Sequence, residues 1–305
     1  MPRLLLFCCT QLSGLRAALP CHWGSAVAVR VDARCASLLR ACVLGAESTP
    51  YAHGAFLFDI LLPASFPDAP PRVTFLTTGG GAWRANPNLY HNGMVCLSLL
   101  GTWEGPGWEA RTSTLLQLLV SLQALVLNDE PYFNEPGCDA CMSEAAVREQ
   151  KRRVLMRTCD AASVGKCRYE PSRGQPAAAA ASREYTLGCR AGTLMHAVAE
   201  PLRQLAASSA VAAAAAAATP AAPFAALLRE HFGRKAAAMR ATCAEWEADG
   251  ATTTQHARAG IRGAAAAALS ALSTLPPHVP APDEAAAAAA APDTPAGKGG
   301  AAAAQ

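Results

Sequence analysis

The chain has 305 residues and a net charge of +3, too small an excess to argue for nucleic acid or an anionic membrane surface as a partner. No stretch reaches the roughly 18 consecutive apolar residues of a membrane span. Residues 1–150 are ordinary in make-up, whereas alanine dominates from about Gln175 and inflates the apolar fraction of 51%. Beyond Asp249 there are few large apolar side chains to offset chain entropy, so 249–305 is expected to be a disordered Ala/Pro-rich tail. The twelve cysteines are scattered through strand-like and helix-like segments, which suits a reduced, intracellular setting, cytoplasmic or nuclear. Cys138-x-x-Cys141 lacks the second close pair of a structural zinc site, so no metal is expected.

In chain order, residues 1–24 hold no acid, and Leu4–Cys9 follows Arg3. That pattern fits a short targeting segment or, as preferred here, a degenerate first amphipathic helix ending at Pro20. Ala26–Val31 and Leu38–Leu44 read as strands, with turn chemistry at Gly45–Tyr51. Phe56, Phe58 and Ile60 alternate with Leu57 and Asp59, giving a third strand with one apolar face. Four prolines between Pro63 and Pro71 exclude helix interior, and Arg72–Leu76 makes a fourth strand. The short links favour an antiparallel meander. Residues 77–112 are irregular yet aromatic, so an ordered functional loop is expected.

Thr114–Leu127 is an apolar helix opened by Thr114-x-x-Gln117, and its nearly all-round apolarity predicts burial against the meander. Residues 138–183 read as a polar insertion and linker. Helices are expected within 184–248, from Glu184 to Leu205 and from Pro223 to Ala248, the latter with a possible break at Gly233. The fold class is therefore α+β: a four-stranded antiparallel meander packed on a central helix, with flanking N- and C-terminal helices.

The candidate chemistry lies at Asn86-Pro87-Asn88 and, eight residues after Asn88, Cys96. Between Ala85 and Trp103 there is no Asp, Glu, Lys or Arg, and His91 is the only ordinary base. A cysteine used for general-base hydrolysis needs a histidine beside it. This window suits exchange of an already activated acyl group instead.

The order of motifs resembles the ubiquitin-conjugating enzyme core across residues 25–137. It is carried by Gly45-x-Glu47-x-Thr49-Pro50-Tyr51, Phe66-Pro67-x-x-Pro70-Pro71, Asn86–Tyr90, Asn92–Trp103 and Glu130–Gly137. The wording is most similar to the large hybrids that combine conjugating and ligating roles, and Phe224–Phe232 resembles their C-terminal helices. The resemblance implies that Cys96 accepts ubiquitin as a thioester from an activating enzyme and passes it to a substrate lysine. No cofactor is implied, because ATP is consumed by the activating enzyme. Asn88 matches the asparagine whose amide stabilises the oxyanion, and Glu135 the acid that orients the incoming lysine. Ser98 and Tyr90 match positions at the site entrance. Simpler roles stand beside these: a turn asparagine, a buried thiol, a solvated acid, a capping serine and a packed ring.

Three departures carry expectations of their own. Asn86 replaces the family's usual histidine, as in the large group. Asp68 stands where many small members carry an aromatic residue that docks RING-type ligases, which weakens the case for a standard RING partner. Residues 1–150 contain no lysine, so self-modification of the core is largely excluded. The large hybrids carry long N-terminal regions not seen here, which suggests a shortened relative or an incomplete gene. The competing reading is a catalytically silent module that binds ubiquitin or a partner, against which Cys96 and Asn88 together argue.

Overall fold

The computed structural model describes residues 2–134, 176–206, 219–251 and 254–276. Glu135, the Cys138/Cys141 pair and the Ala212–Ala218 run lie outside the described residues. The strands β1 (Val27–Val31), β2 (Leu38–Leu44), β3 (Ala55–Leu61) and β4 (Arg72–Phe75) form one antiparallel sheet in that order. Register follows the side-chain alternation: Val43 lies opposite Val27 and Phe56, and Ala41 opposite Val29 and Phe58. Directly opposed residues share a face, so one side of the sheet collects Leu39, Ala41, Val43, Phe56, Phe58 and Ile60.

That face packs on the central helix. Helix α1 (Pro2–Ala18) precedes the sheet, and α2 (Leu115–Ser121) continues as a π-helical turn, Leu122–Val126. Leu115, Leu118, Leu119, Leu122 and Val126 meet the sheet. Thr114 caps α2 by accepting from the Gln117 N–H at 3.1 Å. Gln11 of α1 accepts from the Leu115 N–H at 2.9 Å, satisfying another amide that a helix start leaves open. The all-round burial expected of this helix does not hold. Val120 and Leu125 are exposed, at 39% and 59%, because α2 lies on one side of the sheet and presents its outer stripe to solvent.

The sheet's other face is also covered. Cys42, Leu44, Ala55 and Leu57 form a second core with residues from four C-terminal helices. These are α3 (Pro176–Gly192), prolonged by a π segment (Thr193–Ala199), α4 (Glu200–Leu205), α5 (Ala225–Gly250) and α6 (Gln255–Leu272). Two expectations are corrected here. Helix α3 begins at Pro176, inside the expected linker, and α5 runs unbroken through Gly233.

The larger correction concerns the tail. Residues 255–272 form a helix capped by Thr254, with Ile261, Ala264, Ala265, Ala268 and Leu272 buried on one stripe. Alanine was discounted there as weakly hydrophobic. It is also the best helix former, and its small side chain lets α6 settle closely against α5 and the π segment.

The long loop after β4 is held at two tryptophans. Trp83 packs against Gly192, where a Cβ would lie 2.1 Å from its indole nitrogen, and stacks on His196 at 5.3 Å. Trp108 donates to the Pro67 carbonyl at 2.8 Å and packs on Phe66. Trp103, in the same loop, is 40% exposed.

The seam between α5 and the sheet contains buried histidines. His231 Nε2 donates to the His53 carbonyl at 3.0 Å, which leaves its buried Nδ1 with no partner among the described residues. Burial pushes His231 down to about 4, with His53 and Lys235 adding to the effect and the His53 carbonyl and Glu47 opposing it. Burial likewise lowers His53.

Two outcomes follow from this packing. Ala265→Leu, placed where α6 is fully buried, overfills the interface and lowers the unfolding free energy by about 1–3 kcal/mol in chemical denaturation. His231 is held neutral in the fold but protonates near 6.5 when unfolded, so its contribution is complete above pH 6.5 and fades as pH falls toward 4. The difference in stability between pH 7.5 and pH 4.5 is therefore steeper for the wild type than for His231→Gln, by roughly 2–3 kcal/mol. Equal slopes in the two proteins would contradict this assignment.

Candidate active site

The two residues singled out by spacing are brought into direct contact. Leu89 is fully buried and bridges Val95, while Gly93 turns the chain with φ 87°. Only glycine serves at that turn, because a Cβ would meet the Phe75 carbonyl oxygen at 2.9 Å. The turn sets Asn88 beside Cys96. The Cys96 N–H donates to the Asn88 carbonyl at 2.9 Å, and Asn88 Nδ2 donates to the Cys96 carbonyl at 3.0 Å. A primary amide has two donor hydrogens, and the second one on Asn88 has no partner among the described residues.

Asn86 anchors this pair from below. Its side chain is completely buried and bonds in four directions. Nδ2 donates to the Tyr51 hydroxyl and to the Val126 carbonyl, each at 2.7 Å. Oδ1 accepts from the Asn88 N–H at 2.9 Å and from Asn134 Nδ2 at 3.3 Å. Tyr51 in turn donates to the Ala85 carbonyl at 3.0 Å. Burial holds the Tyr51 phenol well above its ordinary value, so it remains a donor. Asn134 also donates to Val126 at 3.0 Å and accepts from Asn128 at 2.6 Å.

The thiol itself is sheltered. Cys96 is 3% exposed, and its Sγ donates to the Thr102 carbonyl at 3.1 Å. The Thr102 hydroxyl accepts from the Leu97 N–H at 2.9 Å and donates to the Val95 carbonyl at 2.8 Å. Ser98 opens a 3-10 turn, Ser98–Leu100, which ends at Gly101 in the left-handed region. The loop then returns so closely that a Cβ on Gly105 would lie 3.1 Å from the Ser98 Cβ.

Tyr90 is half-buried beneath the Arg84 guanidinium, whose carbon lies 4.1 Å from the ring centroid. Arg84 also donates to the Pro87 carbonyl, bringing a positive charge to a window that begins uncharged at Ala85. His22, His53, His196 and His231 are engaged elsewhere, with Gly24, Thr242, Trp83 and the His53 carbonyl respectively. Among the described residues no group of three or more His, Cys, Asp or Glu could hold a metal ion. Sequence reasoning missed Tyr51, Thr102 and Asn134 as site residues. Tyr51 and Asn134 lay inside quoted motifs, but nothing local marks them as partners of Asn86.

The fold thus brings a meander, a central helix and an asparagine amide clamped to the peptide of a sheltered cysteine into one arrangement. Residues 23–157 match the ubiquitin-conjugating enzyme family. Over 238 residues it is 36% identical to the human dual E2 ubiquitin-conjugating enzyme/E3 ubiquitin-protein ligase BIRC6, covering 77% of this chain but 4% of that protein. It is 57% identical over 103 residues to the putative ubiquitin-conjugating enzyme E2 38 of Arabidopsis thaliana, 33% of this chain and 31% of that one. The solved structure of human ubiquitin-conjugating enzyme E2 G1 is 27% identical, covering 40% of this chain and 93% of that one, with a TM-score of 0.34.

Tyr51→Phe removes the acceptor for one Asn86 hydrogen and the hydroxyl donor to Ala85. Two buried groups then lose a partner, so the unfolding free energy falls by about 1–3 kcal/mol in a denaturant titration.

Proposed function

We propose that the protein carries ubiquitin as a thioester on Cys96 and transfers it to a lysine of a protein substrate. The observation that carries this reading is the reciprocal pair of bonds between Asn88 and the Cys96 peptide. In the first step Cys96 Sγ attacks the thioester of the charged activating enzyme. A C–S bond forms, the donor thiolate leaves, and the Cys96 proton ends on that thiolate. In the second step a neutral lysine amine attacks the Cys96 thioester. The C–N bond forms through a tetrahedral oxyanion, the C–S bond breaks, and the amine proton returns a thiol to Cys96.

An activated acyl group needs positioning and oxyanion stabilisation more than a strong base. Asn88 supplies a preorganised amide with one hydrogen unspent. Glu135 is assigned to orienting the lysine, and Ser98 and Tyr90 to the site entrance. The partners are ubiquitin, its activating enzyme and substrate lysines, in the cytoplasm or nucleus. Ligase-like activity within the same chain is supported by similarity to a relative named as a dual conjugating enzyme and ligase. It is also supported by the exposed Asp68 carboxylate, which disfavours an apolar RING contact.

Incubation with activating enzyme, Mg-ATP and ubiquitin is expected to give a thiol-sensitive adduct that disappears in Cys96→Ala. Asn88→Ala still charges, while transfer to lysine slows by roughly 10²–10³-fold, the usual cost of one oxyanion donor. Wild-type protein that binds ubiquitin without forming an adduct would establish the silent-module reading instead.

A further inference from the structure

We infer that Asn134 is a positioning residue for transfer, acting on Asn88 through the Asn86 amide; this rests on the thioester reading above. Four asparagines stand in series. Asn128 donates to Asn134 at 2.6 Å, and Asn134 donates to Asn86 at 3.3 Å. Asn86 accepts from the Asn88 N–H at 2.9 Å, and Asn88 donates to the Cys96 carbonyl at 3.0 Å. The series connects the segment just after the central helix to the peptide of the reacting thiol.

Its geometry makes Asn134 more than a local clasp. An amide oxygen has two acceptor sites, and on Asn86 one is taken by Asn88 and the other by Asn134. The two Asn86 hydrogens are spent on Tyr51 and Val126. Asn86 is therefore held against rotation from four sides, and the Asn88 main chain inherits that orientation. Asn134 also donates to Val126, the carbonyl that Asn86 uses, so one helix-terminal oxygen references both amides. Asn134 itself is only part-buried and follows the short 3-10 turn Pro131–Phe133. Its truncation therefore loosens Asn86 without emptying the core.

The two half-reactions depend on this device differently. Both half-reactions expel a thiolate from a tetrahedral oxyanion, but loading exchanges one thioester for another, whereas in transfer the attacking amine must also lose a proton while that oxyanion is held. An Asn88 amide that has lost its fixed orientation is felt in the second step.

The test is a single-turnover discharge. Full-length protein is charged, the activating enzyme is quenched, and release of ubiquitin from Cys96 is followed against free lysine concentration. For Asn134→Ala, charging is expected to stay at the wild-type value, with only a small fall in melting temperature from the partners lost at Asn86 and Val126. The maximal discharge rate falls about 10-fold, within the ~100-fold that a misplacement of about 1 Å can cost, and half-saturating lysine does not change. Asn134→Asp keeps the acceptor for Asn128 but has no N–H for Asn86 or Val126, so it shows the same loss.

The decisive comparison is with Asn88→Ala. If Asn134 acts through Asn88, the double variant discharges no more slowly than Asn88→Ala alone. An equal further drop in that background would overturn the inference, as would wild-type discharge by Asn134→Asp or a parallel loss of charging and stability. Absence of any adduct on the wild type would overturn the thioester reading and the inference with it; normal wild-type charging with Asn134→Ala unaltered would remove the inference alone.

Discussion

The site depends on one buried amide. Asn86 has no contact with solvent, and its side chain uses all four of its hydrogen-bonding directions. A buried polar group is costly unless every capacity is met, and fully met it becomes a rigid node in a low-dielectric setting. Here the node ties the turn after β2, the end of the central helix and the Asn88 main chain to one point. A neutral imidazole offers one donor and one acceptor nitrogen. An asparagine joins four partners, which is why the chain can place Tyr51 and Asn134 around the motif.

The node needs a rigid frame, and the sheet supplies it by being buried on both faces. One face packs on the central helix and the other on the C-terminal helices, so Phe56 and Leu57, neighbours in sequence, belong to different cores. The second core also reaches the long loop. Trp83 lies between Phe56 on one side and Gly192 and His196 of the C-terminal helical segment on the other. The C-terminal helices thus belong to the frame that holds the loop entering Asn86. Their seam is polar as well as apolar: Lys235 pairs with Glu47 at 2.6 Å, and Arg190 with Asp249 at 2.7 Å. These pairs are partly exposed and screened, so they direct docking more than they stabilise it.

What was legible in the sequence follows from the range of the forces involved. Leu38–Leu44 could be read to the residue because alternation and turn chemistry are local. The Asn88–Cys96 pairing was legible as spacing, since a tight turn at Gly93 closes the distance. Helix α6 was not, because alanine's contribution lies in allowing close approach, which only the partner helix reveals. The outer stripe of α2 failed for the matching reason: Leu125 is apolar in sequence, but nothing among the described residues covers it. The Asn86 network was hidden most deeply. Tyr51 and Asn134 stand 35 and 48 residues from Asn86, and polar side chains at such separations carry no periodic signal. Arg84 was missed more simply, since an uncharged window says nothing about a cation at its border.

The sheltered thiol completes the physical picture. A thiolate left open in a window with few charges would be exposed to oxidation and to adventitious acylation. Cys96 Sγ donates to the Thr102 carbonyl, and the Thr102 hydroxyl fixes that carbonyl by bonding the chain on either side of Cys96. Under the proposed thioester chemistry, the Thr102 contact is exchanged for the incoming acyl group, while the Asn88 clamp on the Cys96 peptide stays in place. On the side of the Asn88 clamp, the four bonds of the buried Asn86 side chain hold the arrangement in place.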